Sequence, residues 1–142
     1  MKAIRHTGIV VTDMEKALRF YRDLLGLKPI VDFMEKGEYI DTVLAERGVH
    51  VRMVKLVADD GGMIELLQYY SHPKKPSLNK KIYETGFTHM AFTVASIDEI
   101  YKRLTEAGVK FNSPPIVSPD AKVKLAFCRD TDGNYLELVE VL

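Results

Sequence analysis

Two histidines and two glutamates in this sequence lie inside apolar runs that are typical of strands. His6 is in IRHTGIVV and His89 in FTHMAFTV, while Glu65 is in MIELLQYY and Glu137 in NYLELVEV. A buried carboxylate without a partner is unfavourable, so it becomes neutral, pairs or binds a metal ion. Imidazole and carboxylate ligands together suit a divalent ion of nickel, zinc, cobalt, manganese or iron. We predict that all four bind one such ion. For any one of them alone, a structural role is the alternative.

The four residues occupy equivalent places because the chain contains an internal repeat. A displacement of 83 residues aligns the two histidines and the helical patterns that follow them. Asp13 and Ser96 are suited to cap the first turn of each helix, because their short side chains accept from free backbone amides. Gly26 and Gly108 are suited to end each helix in a left-handed conformation. Both halves are therefore predicted to begin as strand, cap, amphipathic helix and glycine stop.

The later parts of the two halves align at a different displacement. Glu65 and the turn DDGG at 59–62 match Glu137 and the turn DTDGN at 130–134 when the sequence is moved by 72 residues. The difference of 11 residues indicates that EYIDTVLAERG is a loop or short helix present only in the first half. Each half then has the pattern βαβββ.

This pattern predicts an α+β fold of one structural domain. Two βαβββ modules in tandem, residues 1–70 and 87–142, form a curved open sheet around a metal-binding cleft. Residues 71–86, SHPKKPSLNKKIYETG, are the predicted linker. We interpret its four lysines as solvated, and contacts to an anionic substrate tail are the alternative.

The composition excludes several classes of function. With 20 basic and 20 acidic side chains among 142 residues, the chain has no net charge to attract nucleic acid or an anionic membrane. No apolar run approaches the roughly 20 residues that span a bilayer. The start of the chain lacks the features of a signal peptide. A lone cysteine, Cys128, permits no internal disulfide and is interpreted as a small buried side chain. We therefore expect a cytoplasmic protein. His50 and His72 have no repeat partner, and we interpret both as surface or loop residues.

Two βαβββ modules with histidine in the first strand and glutamate in the last resemble the vicinal oxygen chelate superfamily. It includes glyoxalase I, methylmalonyl-CoA epimerase, extradiol dioxygenases, fosfomycin-resistance enzymes and bleomycin-binding proteins. The resemblance covers the chain from IRHTGIVV to DTDGNYLELVEV. Glyoxalase I enzymes use the ligand order His, Glu, His, Glu, which is matched here by His6, Glu65, His89 and Glu137.

The resemblance implies a reaction type. A divalent ion with four protein ligands keeps about two positions for adjacent substrate oxygens, polarises a carbonyl and stabilises an enediolate. In glyoxalase-like members a glutamate of the metal site is implicated as base, and that role falls on Glu137 or Glu65. We therefore expect a metal-dependent lyase or isomerase of the glyoxalase/epimerase type that acts on a small oxygenated substrate.

Three alternatives stay open. Epimerases usually carry Gln where this chain has Glu65, which counts against that assignment, although ERGV at 46–49 resembles the stretch with an epimerase's second base. That would make Glu46 a candidate base, and a solvent-facing loop residue is the other interpretation. An Fe(II)-dependent dioxygenase needs two histidines and one carboxylate, so Glu65 would be surplus. A small-molecule binding or resistance protein would use the cleft without turnover.

The remaining expectations concern the pocket and the assembly. Tyr69, Tyr70 and Tyr135 flank the glutamates and are candidates to line the pocket, with packing as the alternative. Alternation along a strand places Tyr135 on the same side as Glu137. We expect a homodimer, because paired modules leave sheet edges and apolar faces that a partner covers. The sequence does not decide whether the ligands come from one subunit or two.

Overall fold

The computed structural model describes residues 2–72 and 80–142, and the chain divides into two compact units, Met1–Pro76 and Ser77–Leu142. Each unit contains one four-stranded mixed sheet, so the predicted α+β fold of tandem modules is confirmed. Of the predicted linker, residues 73–79 lie outside the described ranges. None of the helices in those ranges is both long and apolar enough to cross a membrane.

Among its described residues, the first module contains four strands and two α-helices. They are β1 (Thr7–Val10), α1 (Met14–Leu18), β2 (Lys28–Lys36), α2 (Glu38–Leu44), β3 (His50–Val57) and β4 (Met63–Tyr69). The strand order is β1-β4-β3-β2, in which β1 runs parallel to β4 and the other neighbours are antiparallel. The parallel pair joins the beginning of the module to its end.

The second module repeats this plan with one helix fewer. It consists of β5 (His89–Thr93), α3 (Ile97–Glu106), β6 (Ile116–Val117), β7 (Val123–Arg129) and β8 (Tyr135–Val141). Its strand order is β5-β8-β7-β6, again with one parallel pair between the first and last strands. The internal repeat predicted from the sequence is therefore a repeat of topology.

The helix ends follow the predicted chemistry. The Asp13 carboxylate accepts a hydrogen bond from the backbone amide of Lys16, and Ser96 caps α3 in the equivalent way. Gly26 and Gly108 follow the first helical segment of the first and of the second module, with φ of 81° and 85°, a conformation that glycine adopts without strain.

One helix differs from the expected form. After α1 the chain continues in π-helical turns over Arg19–Leu24, where the amide of Leu25 donates to the carbonyl of Phe20. Phe20 and Tyr21 are both buried there, and their rings meet edge to face with centroids 5.1 Å apart. The wider winding thus accompanies the burial of two consecutive aromatic rings, which the helical pattern alone does not indicate.

Each sheet has a face that packs against its helix and an opposite face that we call the histidine face. In β4 the Gln68 side chain accepts from the amide of Met14 at the start of α1, and in β8 Glu140 accepts from Ile97 at the start of α3. Because side chains alternate along a strand, Glu65 and Glu137 lie on the other side. The histidine face carries His6 or His89 together with these glutamates.

The segment found only in the first half forms α2, so of the two predicted possibilities, a loop or a short helix, the structure has the short helix. Its Ile40 is buried with Val49 and Val51, and Met53, Leu67 and Tyr69 pack against this cluster. The Asp41 carboxylate accepts from the amides of Gly48 and Val49 at 2.8 Å each, which fixes the turn into β3. The helix therefore covers part of the histidine face of the first module.

The core of the second module supplies a test of the fold. Cys128 is fully buried in β7, as predicted, and burial together with nearby Asp130 raises the pKa of its thiol to about 12. We expect no reaction with a disulfide reagent at pH 8 in the folded protein, because the thiol is both covered and protonated. Unfolding in urea restores an ordinary thiol pKa and should give one rapidly reacting group per chain.

The matched control for this measurement is Val141→Cys, which places a thiol on the exposed end of β8. This variant should show one fast group in the native state and two in urea, measured by absorbance. Fast native labelling of Cys128 itself would contradict the described core.

Candidate metal centre

The parallel pairing of β1 with β4 brings His6 and Glu65 together in the first module. Gly8 is the register partner of Glu65, and His6 immediately precedes β1, so it lies just before the first strand and not within it as predicted. The His6 Nε2 atom lies 3.4 Å from the Glu65 Oε2 atom, with 29% and 12% of the two side chains exposed. The pair is thus partly buried and reachable from the histidine face.

The second module repeats this pair at equivalent positions. Ala91 is the register partner of Glu137, and His89 Nε2 lies 3.4 Å from Glu137 Oε2. The exposed fractions of the two side chains are 34% and 19%. The sequence therefore predicted correctly which histidine and which glutamate come together within each half.

The separation within each pair fits shared coordination better than a hydrogen bond. N–H···O hydrogen bonds are about 2.7–3.2 Å long, and both pairs stand at 3.4 Å. Two metal bonds of about 2.1 Å that open by roughly 90–110° hold their donor atoms about 3.0–3.4 Å apart. The donor types and their spacing thus suit adjacent ligands of one divalent ion.

The Nδ1 atoms of His6 and His89, which face away from the glutamates, have different surroundings. His89 Nδ1 is 2.8 Å from the Thr88 hydroxyl, an arrangement that orients a metal-binding imidazole, and its ring meets Phe127 edge to face. His6 Nδ1 is buried and has no hydrogen-bond partner within the described ranges. At the position equivalent to Thr88 the first half has Arg5.

Glu65 also has a cationic neighbour that the sequence repeat does not indicate. Lys55 is its register partner on β3, and Lys55 Nζ lies 3.4 Å from Glu65 Oε1. The register partner of Glu137 is Phe127. Folding the hairpin about the turn at 59–62 would have aligned Lys55 with Glu65, so the signal was present in the sequence.

Each module supplies two donors. Within either module, the described residues include no group of three or more His, Cys, Asp or Glu side chains placed to hold a metal ion. Two donors are half of the ligand set of a tetrahedral ion, and fewer than half of an octahedral one. We call each His–Glu pair a half-site.

A separate ion-pair network lies on the helix face of the first module. Arg52 donates two hydrogen bonds to Asp32 and one, at 2.7 Å, to Glu15 of α1. These bonds hold the pKa of Asp32 below its usual value and raise the pKa of the Arg52 guanidinium. The network ties β2 and β3 to α1, on the side of the sheet opposite the half-site.

Comparison with known protein families identifies a superfamily that this chain matches over almost its whole length. A family model described as the Glyoxalase/Bleomycin resistance protein/Dioxygenase superfamily matches residues 3–138. The chain belongs to this superfamily.

Individual relatives are consistent with that membership. The uncharacterized protein YurT of Bacillus subtilis is 33% identical over 135 residues, which cover 94% of this chain and 95% of YurT. A lactoylglutathione lyase of Schizosaccharomyces pombe is 31% identical over 96% of this chain and 46% of its own length. The crystal structure of a glyoxalase family protein from Bacillus cereus superposes with a TM-score of 0.92 at 25% identity, covering 100% of this chain and 95% of that one.

The three candidate pocket tyrosines of this superfamily member have different environments. Tyr135 is buried, pairs in register with His89, and lies under the Arg129 guanidinium at 3.8 Å, with a hydrogen bond between the two side chains. Tyr69 packs against the α2 cluster. Tyr70 is half exposed beside His50, with ring centroids 5.4 Å apart. Tyr135 is therefore the tyrosine nearest a half-site by register.

The other candidate residues lie away from the two pairs in sequence and strand position. Glu46 is exposed in the turn between α2 and β3, which agrees with the solvent-facing interpretation. His72 is exposed, with its Nδ1 atom 2.8 Å from the Ser71 hydroxyl. His50 is the first residue of β3 and half-buried, so it is a strand residue and not part of a loop.

Proposed function

We propose that this chain is a metal-dependent lyase or isomerase of the glyoxalase/epimerase type. In the proposal His6, Glu65, His89 and Glu137 bind one divalent ion, and the reaction moves a proton through an enediolate of a small oxygenated substrate. The observation that carries it is the duplicated His–Glu pair, with the same atoms at the same 3.4 Å separation in both modules.

The proposal places both half-sites on one ion because of the number of ligands that such an ion needs. One pair offers two donors, whereas a first-row divalent ion in a protein takes about four to six. Two pairs supply four, and an octahedral ion then keeps about two positions for substrate oxygens. We propose a homodimer as well, since each four-stranded sheet has two edge strands that a partner can cover. The two half-sites belong to one chain or to two copies in that assembly.

When bound, the ion supplies Lewis-acid polarisation of a substrate carbonyl, which acidifies the neighbouring carbon. The protein must then accept the proton from that carbon. Both oxygens of Glu65 have a cationic or imidazole neighbour, at Lys55 and His6. Only the Oε2 atom of Glu137 has such a neighbour among the described residues, namely His89. We therefore assign proton transfer to Glu137, with Glu65 as the alternative. This role requires the carboxylate to lie within hydrogen-bond reach of the substrate.

Metal binding is the first testable consequence. Chelator-treated protein titrated with Ni²⁺ in a calorimeter should bind about one ion per chain if both half-sites contribute to each ion. Glu65→Gln and Glu137→Gln should each weaken binding by at least about 100-fold, because an amide oxygen replaces an anionic ligand. Glu46→Gln, an exposed glutamate outside the pairs, is the matched control and should leave the affinity unchanged.

Two results would contradict this assignment. Absence of Ni²⁺, Zn²⁺, Co²⁺, Mn²⁺ and Fe²⁺ uptake would favour a small-molecule binding protein without turnover. Equal weakening by the three glutamate substitutions would remove the special status of the two pairs.

The reaction class is tested by proton exchange with solvent. Metal-loaded protein in D₂O should incorporate deuterium next to the carbonyl of α-hydroxy or α-keto thioesters, followed by NMR. Glu137→Gln should slow exchange by roughly 10²–10⁴-fold because the proton acceptor is lost, while His50→Ala should stay close to wild type. Oxygen-dependent turnover of a catechol by the iron form, without exchange, would instead support the dioxygenase.

A further inference from the structure

The residue that faces the glutamate across the sheet differs between the two half-sites. Lys55 faces Glu65 across the β3–β4 pair, whereas Phe127 faces Glu137 across β7–β8 and packs against His89. The positions of Lys55 and Phe127 are equivalent, because both follow from the 72-residue repeat that relates Glu65 to Glu137. The first half-site therefore contains a cation where the second contains an apolar ring.

We propose that Lys55 is a substrate-binding residue that selects an anionic substrate, one whose chelating oxygens carry or adjoin a carboxylate or similar oxyacid group. The inference rests on the proposed function, because it takes Glu65 as a metal ligand. It adds the chemical class of the substrate, which the ligand set alone does not specify.

The charge balance of the half-sites supports this role. The Glu65 and Glu137 carboxylates together offset the charge of one divalent ion, and neutral imidazoles add none. Lys55, at 3.4 Å from Glu65, then adds a positive charge that the two glutamates do not offset. Its side chain is only 22% exposed and lies between Met53 and Val57 along the histidine face, so water screens this charge incompletely. An anionic group on the substrate restores neutrality.

The environment of Lys55 differs from that of a lysine in an ordinary structural ion pair. Lys124 on β7 is equally buried, with 23% exposed, but it donates to both carboxylate oxygens of Asp98 at 2.6 and 2.7 Å on the helix face. Lys55 stands 3.4 Å from Glu65, which is longer than a hydrogen bond. In the proposed metal-bound state Glu65 shares its charge with the ion, and the attraction that holds Lys55 there weakens further.

The test compares two chelating probes on the intact, Ni²⁺-loaded chain. Oxalate and acetohydroxamate both chelate through two adjacent oxygens, but oxalate carries the additional negative charge. Lys55→Met keeps the aliphatic part of the side chain and removes the charge. We expect it to weaken oxalate binding by about 10-fold and acetohydroxamate binding by less than about 3-fold. Lys124→Met is the matched control and should change neither by more than about 2-fold.

A second measurement does not depend on the probes. Removing the ammonium beside Glu65 should tighten Ni²⁺ binding by about 10-fold, because Lys55 and the ion compete for the same carboxylate. Lys55→Arg, which keeps the charge, should stay within about 3-fold of wild type for Ni²⁺ and for oxalate. Circular dichroism of each variant checks that the fold is intact.

The outcomes separate this inference from the function on which it rests. Wild-type protein that binds none of Ni²⁺, Zn²⁺, Co²⁺, Mn²⁺ and Fe²⁺ overturns both. Wild-type protein that binds one ion per chain, with Lys55→Met weakening the two probes equally or not at all, overturns the role of Lys55 and leaves the metal site standing. Selective loss of oxalate binding together with tighter Ni²⁺ binding supports it.

Discussion

The approach of one imidazole to one carboxylate, at 3.4 Å in each module, is the contact on which the functional account depends. It exists because the first and last strands of each βαβββ unit run side by side in parallel. A parallel neighbour requires a crossover connection, and the helical segment between the first two strands begins that connection on the far side of the sheet. The helix thus serves the site indirectly, by allowing the two strands to meet.

The last strand of each module, β4 or β8, also forms hydrogen bonds to the first turn of the helix in that module. Gln68 and Glu140 lie three residues beyond Glu65 and Glu137 and accept hydrogen bonds from the first turns of α1 and α3. One strand therefore presents a candidate metal-binding carboxylate on one face and a side chain that accepts from the helix on the other. This alternation couples the position of the candidate ligands to the packing of the core, so that a shift of register would disrupt both.

The repeat, the helix caps, the α2 insertion and both His–Glu pairings were predictable from the sequence, because each leaves a local signal of spacing or residue type. Other features depend on tertiary contacts. The π-helical turns at Arg19–Leu24 accompany the burial of Phe20 and Tyr21. The position of Lys55 opposite Glu65 follows from the hairpin about the turn at 59–62, so comparing the two halves by their repeat spacing alone does not reveal it.

The account requires that two imidazoles and two carboxylates bind the same ion. X-ray absorption spectroscopy of the protein loaded with one equivalent of Ni²⁺ measures this directly, because imidazole rings give a distinct multiple-scattering signal. The account predicts two imidazoles per nickel, reduced to one in either His6→Ala or His89→Ala, with oxygen donors completing the shell. A spectrum with no imidazole, or one that neither substitution changes, would contradict it.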